Sequence, residues 1–193
     1  MSNRLLPDFK KGKLFILSGP AGSGKTTLID RLHREYPEVI KNISFTTRPK
    51  REDEKEGNDY FFITSDEFIQ MKQDFMESIS LFGNSYGTSR SWVEEKLSSG
   101  KHVFLVIDTD GARVVKKEME AVTIFLHPPS IEVLESRLIH RDTEGKRELQ
   151  KRLDRAVYEM DQAKFYDYQL INDELEIALT ILRSIVIAEL HRS

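Results

Sequence analysis

The 193-residue sequence contains no cysteine. This absence excludes disulfide bonds, zinc sites built on thiolates and a cysteine nucleophile, and it is compatible with a reducing compartment. Long hydrophobic runs are also missing, since none approaches the roughly 20 residues that a membrane-spanning helix needs. Residues 1–13 lack the apolar stretch of a signal peptide. We therefore expect a cytoplasmic protein with no membrane partner.

An excess of charge of one sign is missing as well. The 29 lysines and arginines against 32 aspartates and glutamates give a net charge of −3, so no basic field covers the whole molecule to hold nucleic acid. The five histidines show no metal-ligand spacing. The length suits one domain with a substantial core. We expect no nucleic-acid partner, and a monomer or a weak homo-oligomer.

Glycine is also scarce, with ten residues in all, yet three lie close together behind an apolar run at 14–17. This segment fits the phosphate-binding pattern G-x-x-x-x-G-K-[ST] between a strand and a helix. The glycines permit backbone amides to converge on an anion, Lys25 supplies a point charge, and the Thr26 hydroxyl suits Mg²⁺. The predicted phosphate-binding residues are Gly19, Pro20, Ala21, Gly22, Ser23, Gly24, Lys25, Thr26 and Thr27.

Apolar runs of strand length alternate with segments of helical period along the chain. This alternation is typical of βαβ units, so we expect an α/β fold with a parallel sheet core flanked by helices. The predicted strands are Lys13–Leu17, Asn42–Ser44, Val103–Asp108, Val122–Leu126 and Gln169–Ile171. The predicted helices are Thr26–Glu35, Ser91–Ser99, Ser130–His140 and Leu175–Leu190, the last packing one face on the sheet.

Two segments depart from this alternation. Residues 46–89 combine a charged loop, a short helix near 66–73 and an extended piece at 75–81, which indicates a small inserted subdomain. Residues 140–160 are dominated by charge and carry few large apolar side chains. We expect this second segment to be an arm that spends time away from the core.

A candidate acceptor site follows the predicted strand at 42–44. Arg48 and Arg51 can both point at one phosphate, because the planar fork of arginine matches phosphate oxygens in pairs. Tyr60 and Tyr86 could add phenol donors. The acidic stretch Glu52–Glu56 is expected to be a solvated surface loop.

These motifs, taken in order, resemble the signature of guanylate kinases. The resemblance rests on S-x-T-T-R-x-x-R at 44–51, G-x-x-Y-x-F at 57–62, Glu77, and G-N-x-Y-G-T at 83–88. It implies phosphoryl transfer from ATP with Mg²⁺ to GMP, and to dGMP, on a fold of three parts. The core would span about 12–43, 90–138 and 162–193, the GMP-binding subdomain about 44–89, and a mobile lid about 139–161.

The resemblance also implies roles for individual residues. Those that would hold the GMP phosphate are Arg48, Arg51, Tyr60 and Tyr86, and those that would read guanine are Ser44, Glu77 and Thr88, with Gly87 beside them in the motif. Independently of the family, the Glu77 carboxylate can accept two hydrogen bonds from the guanine N1–H and amino groups. Adenine does not present this pair of donors, and a site built on such pairing rejects the wrong base strongly.

The chain departs from the family pattern at 104–112. Val106 and Asp110 stand where the family usually has an acid and a glutamine, and that acid commonly helps to hold guanine. We therefore carry no guanine contact onto Val106. Asp108 ends an apolar strand, where a carboxylate can organise magnesium-bound water or the acceptor phosphate.

The charged arm would supply the remaining positive charge. Arg137, Arg141 and Arg152 resemble lid arginines, and Arg141 and Arg152 are best placed to reach the transferring phosphoryl group. Their neighbours Lys146, Arg147, Lys151 and Arg155 are expected to be solvated. Asn172 and Asp173 resemble the adenine-side loop of the family, and the resemblance implies that they and Arg137 bind ATP. The predicted catalytic set is Lys25, Arg48, Arg141, Arg152 and Asp108.

Two alternative functions remain open from the sequence. A kinase of the same fold could act on another phosphorylated acceptor, such as a ribose phosphate, because Val106 weakens the predicted base pocket. A non-catalytic guanylate-kinase-like module that binds proteins is the other alternative. Such modules typically have a degraded phosphate loop, whereas residues 19–26 of this chain are complete.

Overall fold

Five parallel strands form the central sheet, with the order β2-β7-β1-β8-β9. The computed structural model describes residues 11–141 and 146–192, without the side chains of His140, Arg141 and Lys146. The strands of this sheet are β1 (Leu14–Ser18), β2 (Val39–Lys41), β7 (His102–Val106), β8 (Val122–His127) and β9 (Tyr168–Ile171). Because all pairs are parallel, the carboxyl ends of the strands meet at one edge, where ligands bind in such sheets.

Helices cover both faces of the sheet. Alternate residues of β1 divide between the two sides, so that Phe15 and Leu17 join one apolar cluster while Leu14 and Ile16 join the other. Burial on both faces explains why the strand reads as an uninterrupted apolar run. The first cluster includes α1 (Lys25–Glu35) and α7 (Leu175–Leu190), and the second includes α3 (Arg90–Ser98) and α4 (Thr109–Glu118).

A second sheet of four strands has the order β4-β3-β6-β5. Its strands are β3 (Phe45–Thr46), β4 (Phe61–Phe62), β5 (Phe75–Leu81) and β6 (Asn84–Ser89), and α2 (Ser65–Gln70) precedes β5. Strands β5 and β6 form a hairpin whose two turn residues, Phe82 and Gly83, have φ of 50° and 77°. Positive φ at both central positions matches the right-handed twist of hairpin strands.

Helices α5 (Ile131–Arg141) and α6 (Lys146–Gln162) pack against each other beside the central sheet. Their contact is a small apolar cluster of Leu134, Leu138 and Ala156, joined by Leu149 and Leu153. A short 3₁₀ turn at Ala163–Phe165 then leads into β9. Within the described ranges 11–141 and 146–192, no helix combines the length and the apolar character needed to cross a bilayer.

The structure confirms the α/β class and the four predicted helices, and it corrects several boundaries. The predicted strand Asn42–Ser44 is wrong, because β2 lies at Val39–Lys41, where Val39 is buried in the core and 42–44 connect the two sheets. Strand β7 ends at Val106 rather than at Asp108, since the Asp108 side chain caps α4. Helices α4 and α6 were not predicted from the sequence. The division into core, subdomain and lid stays a prediction.

Candidate active site

The phosphate loop joins β1 to α1 with three glycines of positive φ. Gly19, Gly22 and Gly24 have φ of 147°, 89° and 97°. A Cβ added at Gly24 would lie 2.3 Å from Nδ2 of Asn172, and one added at Gly19 would lie 2.3 Å from the carbonyl oxygen of Leu126. Both positions therefore require glycine for space as well as for backbone conformation.

Lys25 folds back over this loop. Its Nζ donates hydrogen bonds to the carbonyl oxygens of Gly19 at 2.5 Å and Pro20 at 3.0 Å. Thr26 and Thr27 are exposed in the first turn of α1, whose amino end carries partial positive charge. A lysine ammonium and a helix amino end are thus next to each other at the end of β1, an arrangement suited to phosphate oxygens.

Two side chains from outside the loop hold its backbone. The buried Asn172 donates a hydrogen bond of 2.7 Å from Nδ2 to the carbonyl oxygen of Ser23. Arg137, on α5, reaches the carbonyl oxygen of Gly22 at 3.4 Å. Both residues were predicted to bind ATP, and the structure gives each a contact with the loop. An open cleft of about 440 Å³ is lined by Gly22, Gly24, Thr27, Ser136, Arg137, Asn172, Asp173 and Leu175.

Glu77 and Thr88 form a buried polar pair at the junction of the two sheets. Thr88 Oγ1 donates to Oε1 of Glu77 at 2.6 Å, and the Glu77 residue is 4% exposed. Burial raises the pKa of Glu77 to about 7, with the charge of Asp108 adding to the effect and the Thr88 hydrogen bond opposing it. Gly111 of α4 lies so close that an added Cβ would be 2.9 Å from Glu77 Oε2.

Arg48 and two tyrosines gather at the other end of the small sheet. The Arg48 guanidinium carbon lies 5.5 Å from the centre of the Tyr60 ring, and the Tyr60 and Tyr86 rings meet edge to face at 5.9 Å. Arg48 Nη2 donates to Oε1 of Glu54 at 2.5 Å. Burial alone would lower the pKa of Arg48, but the hydrogen bond and charge of Glu54 outweigh it and raise the pKa.

Glu54 corrects the expectation that Glu52–Glu56 is merely a solvated loop. Its second carboxylate oxygen accepts the backbone N–H of Arg51 at 2.9 Å, and its side chain is 13% exposed. Burial would raise the pKa of Glu54, but the contacts with Arg48 and Arg51 lower it overall. Glu54 therefore stays ionised and fixes the loop that carries both predicted phosphate-binding arginines.

The Glu77–Thr88 pair and the Arg48–Tyr60–Tyr86 group are connected by one face of β6, and we call the region between them the acceptor pocket. Tyr86 and Thr88 are two residues apart, so their side chains point to the same side at a spacing of about 7 Å. Glu77 on β5 pairs directly with Thr88. Gly87 points to the opposite side, where an added Cβ would lie 2.9 Å from the Phe75 ring. Ser44, half-buried, accepts a hydrogen bond of 3.2 Å from Asn42 Nδ2.

Asp108 lies between this pocket and the phosphate loop. Its Oδ1 accepts the Gly111 N–H at 2.7 Å and its Oδ2 accepts from Arg155 Nη2 at 2.8 Å. Burial raises the pKa of Asp108, although the Gly111 N–H and the Arg155 charge oppose the rise. The backbone carbonyl of Asp108 is 3.5 Å from Ser18 Oγ. The backbone of Asp108 is therefore close to the end of β1, where the phosphate loop begins.

Arg155 is not solvated, contrary to expectation. The same Nη2 that donates to Asp108 also donates to Asp110 Oδ2 at 2.8 Å, and Nε donates to Glu159 Oε1 at 3.2 Å. Burial raises the pKa of Glu159 to about 7, against the opposing charges of Lys25 and Arg155. Asp110, one of the two departures from the family pattern, is thus a partner of this arginine.

The remaining predicted residues occupy different surroundings. Arg152 on α6 has its guanidinium carbon 5.8 Å from the centre of the Phe82 ring. The side chain of Arg141 lies outside the described residues. Val106 is half-buried against the cluster that holds Phe15 and Phe104, on the sheet face of α1 and α7.

Three residues of the site were not predicted from the sequence, namely Glu54, Arg155 and Glu159. Glu54 is one of four acids at 52–56, so the local pattern does not distinguish it from its neighbours. Arg155 and Glu159 are four residues apart, which pairs them on a helix. That spacing becomes informative only after residues 146–162 are recognised as helical.

Comparison with known proteins finds one family throughout the sequence matches. The family model described as guanylate kinase matches residues 11–189. A guanylate kinase from Protochlamydia amoebophila is 51% identical over 185 residues, which cover 95% of this chain and 94% of that protein. One from Chlamydia trachomatis is 48% identical over 183 residues, covering 93% and 89%.

Two solved structures are also similar. The crystal structure of guanylate kinase from Anaplasma phagocytophilum has a TM-score of 0.77 and 30% identity, covering 98% of this chain and 90% of that one. Shikimate kinase from Bacteroides thetaiotaomicron, at 16% identity and a TM-score of 0.50 over 90% of this chain and 98% of its own, is similar in fold alone.

Proposed function

The chain belongs to the guanylate kinase family, and we propose that it transfers the γ-phosphoryl group of ATP to GMP or dGMP. The observation that carries this proposal is the pocket between Glu77–Thr88 and Arg48–Tyr60–Tyr86, which lies beside an intact phosphate loop. One end of the pocket has a carboxylate that suits a purine with adjacent N–H donors. The other end has a guanidinium and two phenols that suit a phosphate.

On the donor side, the loop amides and Lys25 would bind the ATP phosphates. The hydrogen bonds that Lys25 makes to the carbonyls of Gly19 and Pro20 would be exchanged for phosphate oxygens of greater negative charge. The cleft bounded by Arg137, Asn172 and Asp173 is the proposed location of the nucleoside. Arg137 and Asn172 would also keep the loop in shape.

On the acceptor side, Glu77 would accept the guanine N1–H and amino hydrogens, with Ser44 and Thr88 beside it. Arg48, Arg51, Tyr60 and Tyr86 would hold the GMP phosphate, oriented by Glu54. Gly87 would contribute through its backbone. Transfer is then direct and in line: a GMP phosphate oxygen bonds to the γ-phosphorus as the bond to the β-bridging oxygen breaks, and ADP leaves. No protein residue forms a covalent intermediate.

Mg²⁺ fits the donor set at this site. The exposed Thr26 hydroxyl lies in the first turn of α1, and the Asp108 carboxylate lies beyond the neighbouring strand end. Thr26 would be a direct ligand, and Asp108 would hold metal-bound water. The ion, when bound with ATP, supplies positive charge that neutralises the phosphate oxygens. Among the described residues, no group of three or more His, Cys, Asp or Glu is arranged to bind a metal by itself.

Arg141 and Arg152 are the proposed lid arginines that stabilise the moving phosphoryl group, together with Lys25 and Arg48. Positive charge aimed at the equatorial oxygens and exclusion of water supply most of the rate in such reactions. The three-part division into core, GMP-binding subdomain and lid belongs to this proposal. A cytoplasmic location, a monomer or weak homo-oligomer, and the lack of a nucleic-acid partner stay predictions of the sequence.

The test is a side-by-side acceptor assay with ATP and Mg²⁺. GMP and dGMP should be phosphorylated, whereas AMP and ribose 1,5-bisphosphate should not. Lys25→Ala should nearly abolish turnover while circular dichroism shows an intact fold. Preferential use of AMP or a ribose phosphate would refute guanine recognition, and unchanged turnover by Lys25→Ala would remove Lys25 from the mechanism.

A further inference from the structure

Arg155 connects helix α6 to the amino end of α4. Its guanidinium donates to Asp108 and Asp110, both 2.8 Å away, although these residues belong to a separate helix and its cap. The side chain is 22% exposed, and the Asp108 side chain is 9% exposed. Ion pairs shielded from water in this way are weakened less by solvent and salt than exposed pairs are.

The surroundings of Arg155 fix its orientation. Glu159, one turn later on α6, accepts from Nε at 3.2 Å, which leaves the terminal nitrogens directed at α4. The Tyr158 ring lies 4.8 Å from the guanidinium carbon, and the Tyr158 hydroxyl donates to Asp110 Oδ1 at 3.0 Å. Asp110 therefore receives hydrogen bonds from two neighbouring residues of α6.

Arg152 precedes Arg155 by three residues on the same helix, so the two side chains are neighbours on its surface. The other described packing of α6 is mainly apolar and is made with α5 through Leu134, Leu138 and Ala156. The Arg155 pairs are directional and connect α6 to the amino end of α4 as well.

We infer that Arg155 is a positioning residue for phosphoryl transfer, anchoring α6 to Asp108 and Asp110 so that Arg152 lies where the transferring group passes. This inference rests on the proposed function and goes beyond it, because Arg155 itself touches no reacting atom in this scheme. A small displacement of a catalytic group costs rate rather than substrate affinity. Loss of the anchor should therefore lower kcat more than it changes either KM.

The kinetic test compares Arg155→Met with a matched control, Arg113→Met. Arg113 also lies near Asp110, at 3.5 Å, but it is on α4 itself and its side chain is 71% exposed. Arg155→Met should lower kcat roughly 10-fold or more, with both KM values within about 2-fold. Arg113→Met should change kcat by less than about 2-fold, because an exposed pair within one helix contributes little.

Arg155→Met deprives Asp108 and Glu159 of a partner, so Asp110→Ala is the second variant in case the first folds poorly. Both changes break the same hydrogen bond between Arg155 and Asp110. The kcat of the double variant Arg155→Met/Asp110→Ala should therefore be no lower than that of the slower single variant. Losses that multiply would overturn the proposal. An unchanged kcat in well-folded Asp110→Ala would overturn it too.

A second measurement reports on the anchor without any activity. Because the chain has no cysteine, Lys117→Cys on α4 and Lys151→Cys on α6, both exposed, give a unique pair for spin labels. The distance distribution without nucleotide should broaden or shift in Arg155→Met and Asp110→Ala and stay unchanged in Arg113→Met. Identical distributions in all variants would refute the anchor. This readout is independent of GMP phosphorylation, so it separates failure of the anchor from failure of the proposed function.

Discussion

The Thr88 hydroxyl donates a 2.6 Å hydrogen bond to Glu77 Oε1 in a pocket almost closed to solvent. One hydrogen bond does not replace the hydration that the carboxylate loses on burial, and the charged Asp108 nearby adds repulsion. The ionised form of Glu77 is therefore disfavoured until a ligand supplies further N–H donors. Protonation of Glu77 therefore affects both the binding of guanine and the stability of the fold, and each should depend on pH.

The first prediction concerns the pH dependence of GMP binding. Guanine presents two hydrogens to Glu77, so GMP binds the ionised carboxylate. The pKa of the Glu77 carboxyl group is about 7, so a large fraction of it is protonated below neutral pH. The Kd for GMP should rise by roughly 10-fold in total as pH falls from 8 to 6, because Glu77 must lose a proton before GMP binds. Titration calorimetry from pH 6 to 8 measures it, with ATP binding as the control. A Kd for GMP that is flat across this range would contradict ionisation of Glu77 on binding.

The second prediction is that Glu77→Gln stabilises the fold at high pH while impairing GMP use. The pKa of Glu77 is about 7 in the folded chain, above its ordinary value of 4.5. Between pH 4.5 and 7 the folded state therefore binds more protons than the unfolded state does. The free energy of unfolding therefore falls as pH rises through this window. At pH 8 Glu77 is ionised in the folded chain, and burial of its charge has its full destabilising effect. Glu77→Gln keeps the acceptor for Thr88 and removes the charge.

At pH 8 the Glu77→Gln chain should unfold at a Tm higher by roughly 5 °C, while at pH 5 the two chains should differ by about 1 °C or less. Differential scanning calorimetry at the two pH values measures this. Glu159 also has a raised pKa but is the same in both chains, whereas Asp108 repels the ionised Glu77, so relief of that repulsion is part of the expected difference. Equal Tm differences at both pH values would show that charge burial is not the cause.

The third prediction concerns Glu54. Glu54→Gln removes the charge that holds Arg48 and weakens the acceptor for the Arg51 N–H. We expect the KM for GMP to rise about 10-fold, because charge-assisted hydrogen bonds of this kind contribute on the order of 1–3 kcal/mol. The KM for ATP should be unaltered. Glu52→Gln, an exposed neighbour in the same loop, is the control. A similar rise in both KM values would argue for general loss of structure.

The sequence predicted the elements whose signals are local. β1 and α7 were found because an apolar run and a repeating apolar face identify them without reference to the rest of the chain. Helix α6 was missed because its apolar contacts are few and include the small Ala156. Helix α4 was missed because Gly111 lies in its first turn, and glycine disfavours a helix. The reason for this glycine is the nearby Glu77 carboxylate, which leaves no space for a Cβ.

The residues of the site also fall into those with a local sequence signal and those without one. The phosphate loop is contiguous, so its spacing alone identified it, and family resemblance brought in the acceptor residues. The pairs Glu54–Arg48 and Arg155–Asp108 could not be predicted from local patterns. Each depends on side chains whose proximity is created by a loop conformation or by packing of two helices. Charged residues in polar segments look solvated until that packing is known.

The last prediction concerns Asn172, which supports the phosphate loop from the end of β9. Asn172→Ala removes the 2.7 Å hydrogen bond to the Ser23 carbonyl and leaves that buried oxygen without this donor. The loop should lose its preorganised shape, so that the KM for ATP rises by roughly tenfold, while the KM for GMP changes by less than about 2-fold. Glu174→Gln, exposed two residues later and without a side-chain capping bond, is the control. Steady-state kinetics with each substrate varied in turn measures the split. A rise confined to the KM for GMP would show instead that Asn172 supports the acceptor side of the cleft.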